Sequence, residues 1–195
     1  MDNVNEVYPP KKLTTVCLIS SISCGAGHTV CLDFSGNVFS FGANKMKQLG
    51  TKKKATFTAI PQKMNVPPIK QISTGNYFTI CLARDGKIFA FGANTPLLQE
   101  YNPSDDLPDF DIPDIDFIAS GGNHAVFKTT KNECFVWGNN DEGQCGVPDV
   151  GYYPEKCVNW PDNIVDIKCG MAHTLVLTSS KEVYSCGRNA PPELQ

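Results

Sequence analysis

The fold is decided by residues 22–44, which read ISCGAGHTVCLDFSGNVFSFGAN. A glycine-rich start is followed by a short apolar run, a Ser-Gly pair and a second apolar run. A Ser-Gly pair between apolar runs favours a β-hairpin, because glycine supplies the positive φ that tight turns need. The stretch also holds His28 and Cys31, and this pair is compatible with a reactive site, a metal site or a purely structural role.

The same stretch occurs four times in the 195-residue chain, and this repetition is the strongest signal in the sequence. The copies align without gaps at residues 22–44, 72–94, 118–140 and 167–189. Each copy keeps a glycine at its fourth position, which indicates a backbone with positive φ or a close neighbour. Each copy also ends on glycine and, two residues later, asparagine, and both residue types tolerate left-handed turns.

The second apolar run of each copy carries apolar residues on both faces of the predicted strand, which indicates burial on both faces. An isoleucine also precedes each copy by three residues and predicts a further strand. No amphipathic helix period is evident between the copies. The sequence therefore predicts an all-β fold in which each repeat is an antiparallel sheet of about four strands, the blade of a β-propeller.

The first copy and the Gln48-Leu49-Gly50 that follows it resemble the regulator of chromosome condensation repeat family. The third copy continues as WGNNDEGQCG, with Cys145 where that family has leucine. The resemblance covers about residues 8–195 and implies a seven-bladed propeller, of which four repeats make an incomplete ring. We expect residues 1–7 to be a disordered N-terminus and residues 8–195 to be the propeller arc, completed by self-association, by another chain or by further blades of a longer protein.

The overall composition fits a globular protein with a core, since 41% of residues are hydrophobic and 19% are charged. The net charge of −3 does not favour nucleic acid as a partner, and no apolar run is long enough to span a membrane. The N-terminus lacks the apolar run of a signal peptide. Nine cysteines without such a signal indicate free thiols in a reducing compartment, so we predict the cytoplasm or the nucleus.

The histidines and cysteines are predicted to be scaffold. His28, His124 and His173 share one repeat position, which Phe78 occupies in the second copy, and a catalytic histidine is normally unique. Equivalent side chains of neighbouring blades are too far apart to share a zinc ion. We expect half-buried histidines bonded to backbone near the glycine turn. Most cysteines fill small or apolar repeat positions, and no C-x-x-C pair occurs, so no catalytic residue, metal site or cofactor is predicted.

Two charged segments are the candidate partner-binding residues. The acidic segment includes Asp105, Asp106, Asp109 and Asp111, and the basic segment includes Lys52, Lys53 and Lys54. Solvated loops that keep the protein soluble are one interpretation. A polarised face that orients a charged protein partner is the other.

These features lead to one main functional hypothesis and two alternatives. The main hypothesis is a non-enzymatic protein-protein interaction module, because propeller rims present loops on a rigid scaffold. The resemblance implies as an alternative a guanine-nucleotide exchange factor for a small GTPase such as Ran, which needs no covalent chemistry. The other alternative is a structural segment of a longer repeat protein such as a ubiquitin ligase, a kinase or an adaptor.

Overall fold

The computed structural model describes residues 12–13, 18–52, 55–93, 112, 114–151 and 154–188. Within these ranges the regular structure consists entirely of β-strands. In chain order, β1 to β14 are Ile19–Cys24, His28–Asp33, Val38–Ala43, Phe57–Lys63, Ile69–Thr74, Phe78–Ala83, Ile88–Gly92, Ile115–Ser120, His124–Thr129, Cys134–Gly138, Glu155–Lys156, Ile164–Cys169, His173–Thr178 and Val183–Gly187.

The strands form four small antiparallel sheets, one for each sequence repeat. Blade 1 is β1-β2-β3-β4, blade 2 is β5-β6-β7, blade 3 is β8-β9-β10-β11, and blade 4 is β12-β13-β14. The predicted fold class is therefore confirmed, and the four blades form an open arc. The outermost, fourth strand is described only in blades 1 and 3.

Consecutive blades pack face to face, which explains why the inner strands are apolar on both sides. We call the face turned to the preceding blade the leading face and the face turned to the following blade the trailing face. At the first interface the trailing residues Val30 and Val38 share one core with the leading residues Ile72 and Phe89. Two further cores join blade 2 to blade 3 and blade 3 to blade 4. Every residue of β6 and β7 is buried as a result.

A β-bulge explains the paired isoleucines that begin each blade. Residues three apart on a regular strand lie on opposite faces. In β5, however, Ile69 pairs with Ala83 and Gln71 pairs with Leu82, so that Lys70 is one extra residue. This bulge brings Ile69 and Ile72 to the same core. The same register shift occurs at the start of β1, β8 and β12.

The two glycine positions of the repeat have different physical causes. Gly75 does not have a positive φ, but a Cβ built on it would overlap the ring of Phe78. Gly42, at the end of the hairpin, does have a positive φ, of 105°. Asn44 does not use the left-handed conformation that asparagine tolerates, since its φ is not positive. Instead its side-chain oxygen accepts from the backbone N–H of Leu49 at 3.1 Å and holds the following loop.

The loops between the first two strands of each blade are joined by backbone hydrogen bonds. The N–H of Ala26 donates to the carbonyl of Asn76 at 3.1 Å. The N–H of Asn76 donates to the carbonyl of Gly122 at 2.8 Å. The N–H of Gly122 donates in turn to the carbonyl of Met171 at 3.2 Å. One series of hydrogen bonds therefore crosses all four blades beside the repeated histidine position.

Candidate functional site

The first repeated histidine lies at the interface between blades 1 and 2 and bonds across it. His28 begins β2 and is only 3% exposed. Its Nε2 lies 3.0 Å from the hydroxyl oxygen of Thr79 in blade 2. That hydroxyl donates to the backbone carbonyl of Gln48, back in blade 1, at 2.7 Å. We call this chain of histidine, threonine and glutamine carbonyl an interblade latch.

The latch determines the tautomer of the histidine. The Thr79 hydroxyl has one hydrogen, and because it donates this hydrogen to Gln48, it must accept from the Nε2–H of His28. The Nδ1 atom of His28 is then unprotonated, and it is buried without a hydrogen-bond partner. Burial lowers the pKa of His28 to about 4, so the ring is neutral at pH 7.

The interface between blades 3 and 4 contains a second latch with the same geometry. The Nε2 of His124 lies 2.8 Å from the hydroxyl of Thr174, which donates to the Gln144 carbonyl at 2.8 Å. His124 is fully buried, and burial, with a smaller contribution from the charge of His173, lowers its pKa to about 4. The scaffold role predicted for these two rings agrees with this geometry. Both rings are buried rather than half-buried, and each bonds to a threonine hydroxyl of the next blade.

The middle interface, between blades 2 and 3, replaces the latch by apolar contacts. Phe78 stands at the histidine position and is 1% exposed, and Ala125 stands at the threonine position of blade 3. The ring of Phe78 packs edge-on against Trp137, with 5.7 Å between the ring centroids and an angle of 71° between the planes. Histidine pairs with threonine and phenylalanine with alanine, so the two positions change together across the interface.

The buried thiols lie in environments that disfavour reactivity. The eight cysteines within the described residues are free, and five of them are buried. Burial raises the pKa of Cys81 and Cys145 to about 12 and that of Cys134 to about 11. A nucleophilic cysteine needs a lowered thiol pKa, so these environments disfavour reaction. Among the described residues no group of histidine, cysteine, aspartate and glutamate is placed to hold a metal ion.

The predicted partner-binding segments are only partly covered by the structure. Lys52 lies within the described residues and is exposed. The other predicted partner-binding residues lie outside the described residues: Lys53, Lys54, Asp105, Asp106, Asp109 and Asp111. Their role therefore stays a prediction.

Sequence reasoning missed a pocket of about 590 Å³ between blades 3 and 4. Its walls include Lys131, Val158, Trp160 and Asp162. Lys156 and Glu133, which form an ion pair of 2.6 Å, complete one side. Mixed charges beside an aromatic ring suit the recognition of a polar side chain. Much of the lining comes from residues 156–164, which lie between repeats, so the repeat pattern gave no signal for it.

The described residues contain no helix with the length and apolar character required to cross a membrane. Repeated blades, interblade latches and buried thiols together define the class of the protein, an arc of propeller blades with His28 and His124 buried between them. Family models of the regulator of chromosome condensation (RCC1) repeat match residues 35–82 and 131–177, and a second set matches residues 19–48 and 115–144. The chain belongs to this repeat family.

Two curated relatives illustrate the range of this family. The chain is 37% identical to the Guanine nucleotide exchange factor SRM1 of Saccharomyces cerevisiae over 86 residues, 40% of this chain and 18% of that protein. It is 30% identical to the human Probable E3 ubiquitin-protein ligase HERC6 over 195 residues, 96% of this chain and 15% of that protein. The chain therefore spans less than a fifth of either relative.

Solved structures confirm the fold. Human WBSCR16 superposes with a TM-score of 0.75 at 21% identity, over 88% of this chain and 48% of that one. Yeast RCC1 (Prp20), solved with Kap60, superposes with a TM-score of 0.72 at 22% identity, over 91% of this chain and 45% of that one. The arc thus corresponds to about half of each of these longer chains.

Proposed function

We propose that this chain is a non-enzymatic protein-binding module, which contacts its partner through the loops and the pocket on the rim of the arc. The observation that carries the proposal is the use of the repeated polar groups in packing. The His28 and His124 rings are buried between blades, five of the described cysteines are buried, and no group of described residues is placed to hold a metal ion. The loops on the rim of the arc are therefore the proposed binding surface, because loops held on a rigid scaffold are suited to recognising a protein partner.

Charge complementarity is the proposed basis of recognition. The basic segment at Lys52, Lys53 and Lys54 and the acidic segment at residues 105–111 would each attract the opposite charge at close range. The pocket beside Trp160 offers a place for one anchoring side chain. The proposed compartment is the cytoplasm or the nucleus, because the free thiols of the described residues suit a reducing environment.

Affinity capture with matched variants tests this proposal. The first variant changes Lys52, Lys53 and Lys54 to glutamate, and the second changes Asp105, Asp106, Asp109 and Asp111 to asparagine. A third, Val158→Arg, fills the mouth of the pocket at a side chain that is 75% exposed. A partner captured by the wild type and lost in at least one variant supports the proposal. Capture that all three variants leave unchanged contradicts it.

Exchange of guanine nucleotide on a small GTPase such as Ran is the second candidate. Its support is the 37% identity to the exchange factor SRM1 over 86 residues. Exchange requires only that the protein bind the nucleotide-free GTPase more tightly than the nucleotide-bound state. The test is release of a fluorescent guanine nucleotide from Ran with and without the chain. Strong acceleration favours exchange over the general binding module, and unchanged release excludes exchange on Ran.

The third candidate is a structural segment of a longer repeat protein, such as a ubiquitin ligase. It is supported by the similarity to HERC6, which extends over 96% of this chain but only 15% of that relative. Immunoblotting of cell extract with an antibody against the arc tests this candidate. A band much larger than 21.3 kDa supports it, and a single band at that mass contradicts it.

A further inference from the structure

The interface between blades 3 and 4 is rich in cysteine. Five of the eight free cysteines within the described residues face it: Cys134, Cys145, Cys157, Cys169 and Cys186. Among the described residues, the core between blades 1 and 2 contains one cysteine, Cys81, and the core between blades 2 and 3 contains none. This interface lies inside the arc, so its thiols are packed between two blades that the chain itself supplies.

Two of these cysteines lie opposite each other on neighbouring strands of blade 3. Strand β10 pairs with β11 through Phe135 and Lys156, and the same register continued by one residue sets Cys134 against Cys157. The N–H of Cys157 donates to the carbonyl of Cys134 at 2.9 Å. In such a hydrogen-bonded pair the Cα atoms lie about 5.5 Å apart, and both side chains point to the same face. That spacing is within the range of about 4.4–6.8 Å at which disulfides form.

Blade 1 has the same backbone arrangement without the thiols. There the N–H of Met64 donates to the carbonyl of Val38 at 2.8 Å, and both side chains are buried in the core between blades 1 and 2. The position therefore accepts ordinary apolar side chains. Blade 3 has two cysteines in their place, and this provides matched substitutions for removing either thiol.

Small solutes can reach the pair although it is buried. Both Cys134 and Cys157 line the pocket of about 590 Å³. Burial raises the pKa of both thiols, that of Cys134 to about 11, so each reacts slowly at pH 7. A slow thiol is still oxidised when a small oxidant is in excess, and a second thiol beside it then determines the product.

We propose that Cys134 and Cys157 are a redox-sensitive site, which a peroxide converts to a disulfide in the wall of the pocket. Cys134 reacts first, because its thiol is the more acidic of the two. Cys157 then traps the oxidised sulfur before a second oxidant molecule does. The pair thus limits oxidation to a product that a thiol reductant reverses.

Hydrogen peroxide supplies the oxidising equivalents. The Cys134 thiolate attacks one peroxide oxygen, the O–O bond breaks, and the departing hydroxide takes up the thiol proton as water, which leaves a sulfenic acid. The Cys157 sulfur then displaces the sulfenic hydroxyl, which leaves as water with the Cys157 proton. Two thiols and one peroxide therefore become one disulfide and two waters.

Peptide mapping of the full chain tests the bond. After peroxide treatment the remaining thiols are blocked with iodoacetamide in denaturant, and trypsin cleaves after lysine and arginine. It releases Cys134 in residues 132–156 and Cys157 in residues 157–168. The two peptides should appear joined, about 2 Da below the sum of their masses, and dithiothreitol should separate them. Fragmentation should place the link at Cys134 and not at Cys145, which is in the same peptide.

Variants copied from blade 1 are the controls. Cys134→Val and Cys157→Met each introduce the residue found at the equivalent position, and each should abolish the link while circular dichroism shows a folded protein. Cys157→Ala replaces Cys157→Met if the latter unfolds. Cys145→Ala should keep the link. Absence of the link in peroxide-treated wild type, a link through Cys145, or a link that persists without Cys134 would overturn the proposal.

The melting temperature shows whether the bond fits the folded blade. A disulfide between residues 134 and 157 restricts the unfolded chain, so oxidised wild type should melt several degrees above the reduced protein. The same treatment should give Cys134→Val no such gain. A lower melting temperature for the oxidised wild type would show that the bond distorts blade 3, and would contradict the proposed geometry.

Discussion

The interfaces between blades are of two kinds within one chain. Two of them bury a histidine that bonds to threonine in the next blade, and the middle one buries Phe78 against Trp137 with Ala125 at the threonine position. The backbone arrangement is the same in all three, since the strand registers repeat from blade to blade. The blade fold therefore tolerates either chemistry at this position, provided that the two sides of the interface change together.

The third member of each latch is supplied by the loop that follows the hairpin in blades 1 and 3. Gln48 and Gln144 lie in loops of matching geometry, in which the Gln side-chain oxygen accepts from the backbone N–H two residues earlier at 3.0 Å. Each loop presents a buried carbonyl to a threonine hydroxyl. A threonine without that carbonyl would bury an unpaired hydroxyl, which costs about 1–3 kcal/mol. Phenylalanine and alanine avoid this cost.

The largest expected effect is at the apolar interface. Phe78→Ala removes a ring that is 1% exposed and packs against Trp137, and should lower the free energy of unfolding by about 3–5 kcal/mol. Tyr77→Ala is the matched control, because Tyr77 is adjacent in sequence but 48% exposed, and it should cost far less. Urea denaturation of both variants measures the difference. Equal losses would contradict the assignment of Phe78 to the core between blades.

Acid should weaken the two latch interfaces and leave the apolar one unaffected. The folded pKa of His28 and His124 is about 4, below the ordinary value of 6.5, so the unfolded chain binds more protons between these values. Stability is therefore full above pH 6.5 and falls as the pH drops to about 4, by about 3 kcal/mol for each ring at most. Thermal melts across this range measure the loss.

A variant that copies the middle interface sharpens the acid prediction. His124→Phe with Thr174→Ala replaces one latch by the Phe78 and Ala125 pair, and should remove about half of the histidine-linked acid loss. His173 remains in this variant, so the change reports on the buried ring alone. An unchanged pH dependence would show that the acid loss arises from other groups.

Single changes in a latch should have intermediate effects. Thr174→Ala leaves the Nε2–H of His124 buried without a partner and should cost about 1–3 kcal/mol. His124→Phe removes the ring nitrogens while Thr174 still donates to Gln144, and should cost about 1 kcal/mol. The double variant should cost less than the sum, which a double-mutant cycle measures. Strict additivity would mean that the two residues do not interact.

The repeat pattern was sufficient to predict the strands and the hairpins, and the packing role it predicts agrees with the burial of His28 and His124. It did not predict the partner of His28, because Thr79 belongs to the next blade and a single repeat does not contain both sides of an interface. The signal was nevertheless present: the copy with Phe78 for histidine is followed by the copy with Ala125 for threonine. The bulge at Lys70 was not predicted, although two isoleucines three residues apart on a regular strand would lie on opposite faces.

The smallest effect concerns two equivalent hydroxyls in different interfaces. At the first interface Thr74 lies 2.8 Å from the hydroxyl of Ser23, whereas Ser120, at the same position of blade 3, is buried without a hydrogen-bond partner. Ser120→Ala removes an unsatisfied group and should leave stability unchanged or raise it by less than about 1 kcal/mol. Ser23→Ala breaks the bond to Thr74 and should lower stability by about 1 kcal/mol. Parallel urea titrations measure the free energy of unfolding of both variants. If Ser120→Ala lowers it as much as Ser23→Ala does, Ser120 has a hydrogen-bond partner in solution. The middle interface would then be more polar than its apolar core suggests.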